Sequence, residues 1–450
     1  MKKVYYFLFV AIGLASCSNE DVFEAPANVN EDVAQEFKIN RRSYSEVLEI
    51  AQNSISMIQD STAITRGESG RTLNLESGVK TYCQKTTRAN GASANDTLLY
   101  VFNFNDNRGF AVVSANRATE GLLAVVENGN YDPNSKWGDS YAEEILDNAK
   151  DYVRNTEIEN LPAITRGEII HWDESENGRR IVELTAKKEV APRIKVKWAQ
   201  KGAIATFCPN IGFDNNQIVG SGPIALAQAM TYWGAYQGYP TSIIYPKHFG
   251  GTLALDWKKI NSWTNSDSLI SNRTDIVVAK LVREIGYLAK ADYYDDVTVT
   301  SLSNLAKATE KLGLNIYATS TRKFNPKNDG WSMVDRLWAD NFAIMQAKNS
   351  KSGRAHTFVI DGFKYSKEHE YIQYKKPNGE WVTLSPETFR SIELNYINWG
   401  EAGKYDGYYT SNLFTPSVRE NSDRTTDYFE GNKDGNYNTD MEYFIFYWNR

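Results

Sequence analysis

The chain has 450 residues and is 41% hydrophobic, too long for one ordinary core and apolar enough to bury two or three. Lys and Arg number 50 against 56 Asp and Glu, a formal charge of −6 with no basic stripe, which argues against a nucleic-acid partner. Its four His and three Cys form no cluster with metal-ligand spacing, so neither a zinc site nor another cofactor is expected.

The first residues read as targeting rather than fold. Lys2 and Lys3 precede an apolar run, Val4 to Ala15, that is too short to stay across a bilayer. Leu14-Ala15-Ser16-Cys17 resembles a bacterial lipobox, which implies signal-peptide cleavage before Cys17 and lipidation of its thiol. Ser18-Asn19-Glu20-Asp21 resembles the surface-export signal of Bacteroidetes lipoproteins. The expectation is an outer-membrane lipoprotein facing the cell surface or the periplasm. Cys83 and Cys208 are the remaining thiols, in different predicted domains, and no disulfide between them is expected.

A linker over 18–40 leads to a predicted helix, Tyr44 to Ile58. Thr97 to Phe104 alternates like a half-buried strand, Asp106 to Gly109 is a turn, and Phe110 to Ala115 and Gly121 to Val126 are two more strands. A helix is predicted over Ser140 to Arg154, which completes an α+β domain at 41–165. Ala63-Ile64-Thr65-Arg66-Gly67-Glu68 recurs as Ala163-Ile164-Thr165-Arg166-Gly167-Glu168. These repeats are either processing sites, cut after Arg66 or Arg166, or a coincidence in exposed polar connectors.

After a second linker, 166–193, a larger domain runs from 194 to 450. Gly220 to Met230 reads as a tight turn feeding a buried helix, with Pro223 at a first helical position. Helices are predicted from Thr274 to Ala291 and from Thr300 to Leu312. Strands follow at Phe342 to Gln346, at Ala355 to Phe363 with a turn at Asp361-Gly362, at Glu370 to Tyr374, at Glu380 to Leu384 and at Met441 to Trp448. Helices first and antiparallel strands later make an α+β domain, a helical wall facing a sheet.

Ser221 opens the helix that follows Gly220, in the positive end of its macrodipole. Such a position activates a nucleophile when a base stands nearby. Downstream, His356 begins the Ala355-His356-Thr357-Phe358-Val359-Ile360-Asp361-Gly362 strand, and Ile397-Asn398-Trp399-Gly400 precedes Asp406-Gly407-Tyr408-Tyr409. Upstream lies Trp198-Ala199-Gln200. A His in an apolar strand is usually a satisfied core residue, and each of the other segments alone has an equally plain structural reading.

In this order the segments resemble the streptopain family of papain-fold cysteine peptidases. That family carries a Gly-Cys-x-x-x-Ala-x-Ala-Gln helix start, a His-x-x-Val-x-Asp-Gly strand and an Asn-Trp-Gly-Trp-Gly-Gly turn, and its surface members often read Gly-Cys-Gly-Pro. The strands around Asp106 to Gly109 resemble the family's Spi-like prodomain, which folds over the cleft. The resemblance implies a papain-like two-wall catalytic domain behind an inhibitor-like prodomain. It places Ser221 at the nucleophile position, His356 as base, Asn398 as the residue that orients His356, and Gln200 as oxyanion donor. Trp399 and Gly222 are supporting residues, with Trp399 covering the His–Asn contact. Asp361 shapes a turn, and Cys208, which lacks a helix start, is structural. Implied partners are a protein or peptide, the chain's own prodomain, and a membrane through the lipid anchor.

Two positions depart from the family pattern. A Cys beside a His and a helix N-terminus falls from about 8.5 to roughly 3.5–7.5, whereas a Ser hydroxyl does not ionise in that range. Glu401-Ala402 stands where the family has Trp-Gly. The resulting expectation is a streptopain-like endopeptidase homologue with impaired chemistry. The alternatives are a non-catalytic surface binding lipoprotein, a working Ser221–His356 hydrolase, or an active peptidase silenced by replacement of its Cys.

Overall fold

The computed structural model describes residues 41–58, 70–75, 78–87, 93–117, 119–131, 178–211, 217–237, 242–244, 251–264, 274–295, 297–314, 316–324, 339–348, 355–414 and 441–448, with residues 149, 150, 152, 153, 249 and 337 singly. Cys17, Arg66 and Arg166 lie outside the described residues, as does most of the predicted 140–154 helix.

Among its described residues the N-terminal domain packs a helix on a four-stranded sheet. Helix α1 (Tyr44–Ile58) turns Val47, Ala51 and Ile58 onto strands β1 (Val79–Thr87), β2 (Ser93–Asn103), β3 (Phe110–Ser114) and β4 (Leu122–Val126). Phe102, Phe104, Ala111 and Val113 complete this core. The turn between β2 and β3 uses two non-glycine residues in the left-handed region, Asp106 (φ 60°) and Asn107 (φ 57°), both types that tolerate it.

The segment expected to be a linker holds a strand, β5 (Gly178–Val190). Helix α2 (Ser221–Gln237) follows, apolar on every side and therefore buried on every side. It begins two residues earlier than its proline suggested. Pro223 still lies in the first turn, where a missing N–H leaves nothing unpaired. A small hairpin, β6 (Ser242–Ile244) with β7 (Thr252–Ala254), and helix α3 (Trp257–Ser262) come next. Helix α4 (Thr274–Leu288) stops short of Ala291, and Lys290 at φ 54° ends its last turn. Residues 292–293 (β8) and 298–299 (β9) form a second small hairpin. The helix predicted over 300–312 begins just after it: α5 runs Leu302–Lys311, with Ser301 Oγ accepting from Asn304 N–H as its cap. Trp198, Trp233, Trp257 and Trp263 fill the core among these helices.

The remaining strands are β10 (Ile316–Ala318), β11 (Arg322–Lys323), β12 (Phe342–Lys348), β13 (Ala355–Lys375), β14 (Trp381–Asn398), β15 (Gly407–Thr410) and β16 (Glu442–Trp448). Two predicted short strands are pieces of the long β13–β14 hairpin. No turn forms at Asp361-Gly362: β13 continues through a register shift there. A Cβ at Gly362 would meet the Val190 carbonyl at 2.9 Å, so that position needs glycine for close approach rather than for turning. Asp361 is fully buried, and its Oδ2 accepts from the N–H groups of Ile194 (2.8 Å) and Arg193 (3.3 Å). It fastens the start of the second domain to β13.

The two domains share one sheet of twelve strands. Along it the order is β1-β2-β3-β4-β15-β14-β13-β12-β16-β10, with β11 on β16 and β5 on β13. The junction is β4 against β15, where Val126, Val125 and Ala124 pair with Gly407, Tyr408 and Tyr409.

Two outcomes test this packing. Gly234 lies in the interior of α2, where Ala would ordinarily gain about 1 kcal/mol in helix propensity. A Cβ there would sit 2.1 Å from the Trp257 ring, and overpacking of that kind costs about 1–3 kcal/mol. Gly234→Ala should therefore lower the urea midpoint rather than raise it. Burial raises the Asp361 pKa to about 7, against the two backbone bonds and Arg193, which lower it. The unfolded chain loses that proton near pH 4, so stability present below that point is lost as pH rises towards 7. Asp361→Asn keeps an acceptor for the two N–H groups and removes the titration. Its urea midpoint should fall less than that of the unaltered chain between about pH 4 and 7; parallel curves would contradict the assignment.

Candidate active site

The site is built from one turn. Val219 N–H donates to the Gln200 carbonyl (2.9 Å), which lays the approach to Ser221 alongside the 198–200 segment. Gly220 has φ +93°, and a Cβ there would meet Thr298 at 3.0 Å, so glycine is required for both conformation and space. Gly222 is different: a Cβ would make only ordinary contacts with Thr300 (3.4 Å) and Leu305 (3.5 Å).

Ser221 is the first residue of α2 and is 9% exposed. Its Oγ accepts a hydrogen bond from Thr357 N–H at 3.1 Å. The positive end of α2 and the start of β13 therefore meet at this hydroxyl, and His356 is the next residue along. His356 is buried, and its Nε2 lies 2.9 Å from the Trp399 carbonyl. A carbonyl only accepts, so Nε2 carries the proton and Nδ1 is the acceptor atom of the ring. Burial pushes the His356 pKa down to about 4, partly offset by the Trp399 carbonyl, so the imidazole is neutral at ordinary pH.

Asn398 does not touch the His356 ring as the motif suggested. Its Oδ1 accepts from Gly400 N–H (3.0 Å) and Gln228 Nε2 (2.9 Å), and its Nδ2 donates to the Val196 carbonyl (3.3 Å). The Gly400 N–H belongs to the same peptide group as the Trp399 carbonyl. Asn398 thus holds one end of a peptide plane whose other end holds His356. The Trp399 indole is buried beside that contact, against Phe358 (centroids 4.8 Å), Tyr409 (5.7 Å) and His356 (6.1 Å).

Gln228 fills the last place of the helix-start motif, but the motif gave it no role. It lies fully buried two turns into α2; its Oε1 accepts from Trp198 N–H (2.8 Å), and its Nε2 donates to Asn398. An amide inside an otherwise apolar helix was the available signal. Ala402 N–H donates to the Trp198 carbonyl (3.1 Å), so the 198–200 segment is clamped from both sides. Gln200 leaves this clamp half-buried, and its side-chain amide makes no hydrogen bond among the described residues. Gly400, at φ +70°, lets the 398–403 turn approach α2, since a Cβ would lie 2.9 Å from Ile224.

Cys208 is buried away from this arrangement. Burial pushes its thiol up to about 11, which makes it a poor nucleophile. The parts that meet here are a hydroxyl at a helix N-terminus and, one residue from the N–H it accepts from, a buried neutral imidazole. Those are elements acyl transfer needs.

Residues 198–409 match the model of the Peptidase C10 family, and residues 33–153 match that of the Spi protease inhibitor. No curated protein matches the chain significantly. Among solved structures, a prointerpain A fragment from Prevotella intermedia is 17% identical with a TM-score of 0.47, over 81% of this chain and 98% of that one. Active wild-type interpain A cysteine protease from the same organism is 17% identical with a TM-score of 0.36, over 57% of this chain and 94% of that one. The inhibitor and peptidase matches follow each other in the order the sequence motifs anticipated: a Spi-type inhibitor region at 33–153 stands ahead of a Peptidase C10 (streptopain) region at 198–409, which is cysteine-peptidase-like.

Proposed function

We propose that this chain is a peptide-binding member of the Peptidase C10 family whose endopeptidase turnover is impaired, exported and held at a membrane by lipid on Cys17. The observation that carries the reading is the Ser221 hydroxyl, seated at the α2 N-terminus and accepting from Thr357 N–H beside His356. A thiol there, at the positive end of a helix, would ionise far more readily than a hydroxyl. The hydroxyl keeps its proton, so no resting oxyanion–imidazolium pair forms. Removing a serine protease's nucleophile costs on the order of 10⁶ in turnover, and a loss of that scale is the expectation. Gln200 is the oxyanion donor in this reading, because its amide is spent on no partner among the described residues. Glu401 puts an acid on the rim where the family has an aromatic residue, which alters the surface offered to a peptide.

The second reading, a working Ser221–His356 hydrolase, draws on the His356 tautomer. A neutral ring with Nε2–H fixed on a carbonyl and Nδ1 as acceptor is the form a general base requires. The inhibitor domain serves both readings as a docked regulator, supported by the β4–β15 pairing and by Asn128 Nδ2 donating to the Gly403 carbonyl (3.3 Å).

Ser221→Cys should create casein cleavage or self-processing once the inhibitor domain is removed. A folded but inert Ser221→Cys protein would defeat the retained-site reading and turn attention to Glu401. Labelling of the unaltered chain by a fluorophosphonate probe, lost in Ser221→Ala, would favour the hydrolase. Cys17→Ser should move the protein from the membrane fraction to the aqueous phase; an unaltered chain that already partitions into water would refute the anchor.

A further inference from the structure

A buried charge cluster joins the inhibitor domain to the back of the His356 contact. Asp406 is fully buried. Its Oδ1 accepts from Trp399 N–H at 2.9 Å, and its Oδ2 has no hydrogen-bond partner. The same Trp399 presents its carbonyl to His356. Trp399 is therefore held at its N–H by Asp406 and used at its carbonyl by the base. From the other side, the Glu127 backbone N–H donates to the Asp406 carbonyl (2.9 Å), and the Glu127 carboxylate takes Lys197 Nζ at 2.6 Å. The Lys197 stem runs over Gly403, where a Cβ would meet its Cδ at 2.5 Å. This stem lies on the same turn that carries Asp406.

One cation thus faces two carboxylates in different domains. Burial works against charge on Lys197, but Asp406 and then Glu127 outweigh it and keep its pKa above the ordinary value. Burial lifts Asp406 to about 7 even though Lys197 and the Trp399 N–H bond lower it, while the ammonium's own hydrogen bond goes to Glu127. Asp361 and Glu127 add negative charge nearby and push in the same direction as burial. A buried carboxylate oxygen without a partner is costly, and an ammonium within side-chain reach is its natural complement.

We propose that Asp406 is a positioning residue for His356, acting through the Trp399 backbone, and that Lys197 is a shared counter-ion which the inhibitor domain's Glu127 holds away from Asp406 Oδ2 until that domain leaves. In the docked form, Glu127 bonds Lys197 and leaves Asp406 incompletely paired. On undocking, Lys197 swings to Oδ2, Asp406 becomes fully ionised, and its bond to Trp399 N–H becomes charge-assisted and shorter. The Trp399 carbonyl is then fixed more firmly against His356. This inference rests on the reading of Ser221 and His356 as nucleophile position and base.

The test uses the full chain and two readouts. The first is the ¹⁵N resonance pair of the His356 ring in the unaltered Ser221 background, assigned against His356→Gln. Glu127→Gln, which frees Lys197 while the domain stays in place, should shift the His356 pair. The shift should vanish in Glu127→Gln/Lys197→Gln and in Glu127→Gln/Asp406→Asn. If Asp406→Asn does not fold, the Lys197 arm decides alone. A Glu127→Gln shift that persists in the Lys197→Gln background, or no shift at all in folded protein, overturns the proposal. The second readout is iodoacetamide alkylation of Ser221→Cys, with Cys83 and Cys208 replaced by Ala. Here Asp406→Asn, which keeps a neutral acceptor for Trp399 N–H but removes the charge that strengthens the bond, should slow the reaction about tenfold, while thermal stability alone would not predict that change. An unreactive thiol combined with an intact ¹⁵N coupling would refute the nucleophile-position reading and leave the positioning role standing. Alkylation unchanged by Asp406→Asn in a reactive protein would refute the positioning role.

Discussion

One buried amide holds the site together. Gln228 reaches from the middle of an apolar helix to Trp198 N–H on one side and to Asn398 on the other. The three pieces it joins are separate in the chain, and they carry three residues of the proposed site: Gln200, Ser221 and Asn398. An amide stripped of water without partners costs roughly 1–3 kcal/mol, so the helix cannot take up this position with either neighbour misplaced. Ser221 is aimed by the helix, Gln200 by the segment after Trp198, and His356 by the peptide group that Asn398 steadies. A hydrophobic residue at 228 could fill the space but could not make any of the three registers conditional on the others.

The parts of the site that could be read from the sequence were those written within a few consecutive residues. The run from Gly220 forecasts a tight turn and a helix start because both are local backbone events, and the structure has both. Asn398-Trp399-Gly400 was equally visible as a turn. Its partner was not, because a side chain's choice between a ring nitrogen and a neighbouring N–H depends on how the turn packs on α2. The N-terminal strands were legible from apolar alternation. The long β13–β14 hairpin was not. Its outer half, Lys364 to Lys375, mixes Lys, Glu, His and Tyr without a sustained apolar–polar alternation, so it offers no period of two over its length. Nor did any residue pattern announce that β5 would leave its expected linker to pair with β13. That pairing is a tertiary event with polar residues on both sides.

Nor could the joining of two domains by one continuous sheet be seen in motifs that treat each domain separately. The junction makes the inhibitor domain more than a plug. Backbone pairing at 124–126, the Glu127–Lys197 ion pair and the Asn128–Gly403 bond all fall on the residues that support the turn behind His356. Only a few bonded atoms therefore separate this border from the His356 contact.

The same junction has a consequence for any shortened form of the protein. While β4 is paired, the strand Gly407–Thr410 is interior to the sheet. Once the inhibitor domain is lost, its outer N–H and C=O groups become a bare strand edge. Around that edge, Tyr408 and Tyr409 are large aromatic residues now buried partly by their neighbours across the junction. Nothing on this strand is a proline or a lysine that would discourage another strand from adding there. A peptidase domain prepared without residues 33–153 would therefore have a tendency to pair edge to edge with its own copies, and its solubility would depend on what comes to occupy that border.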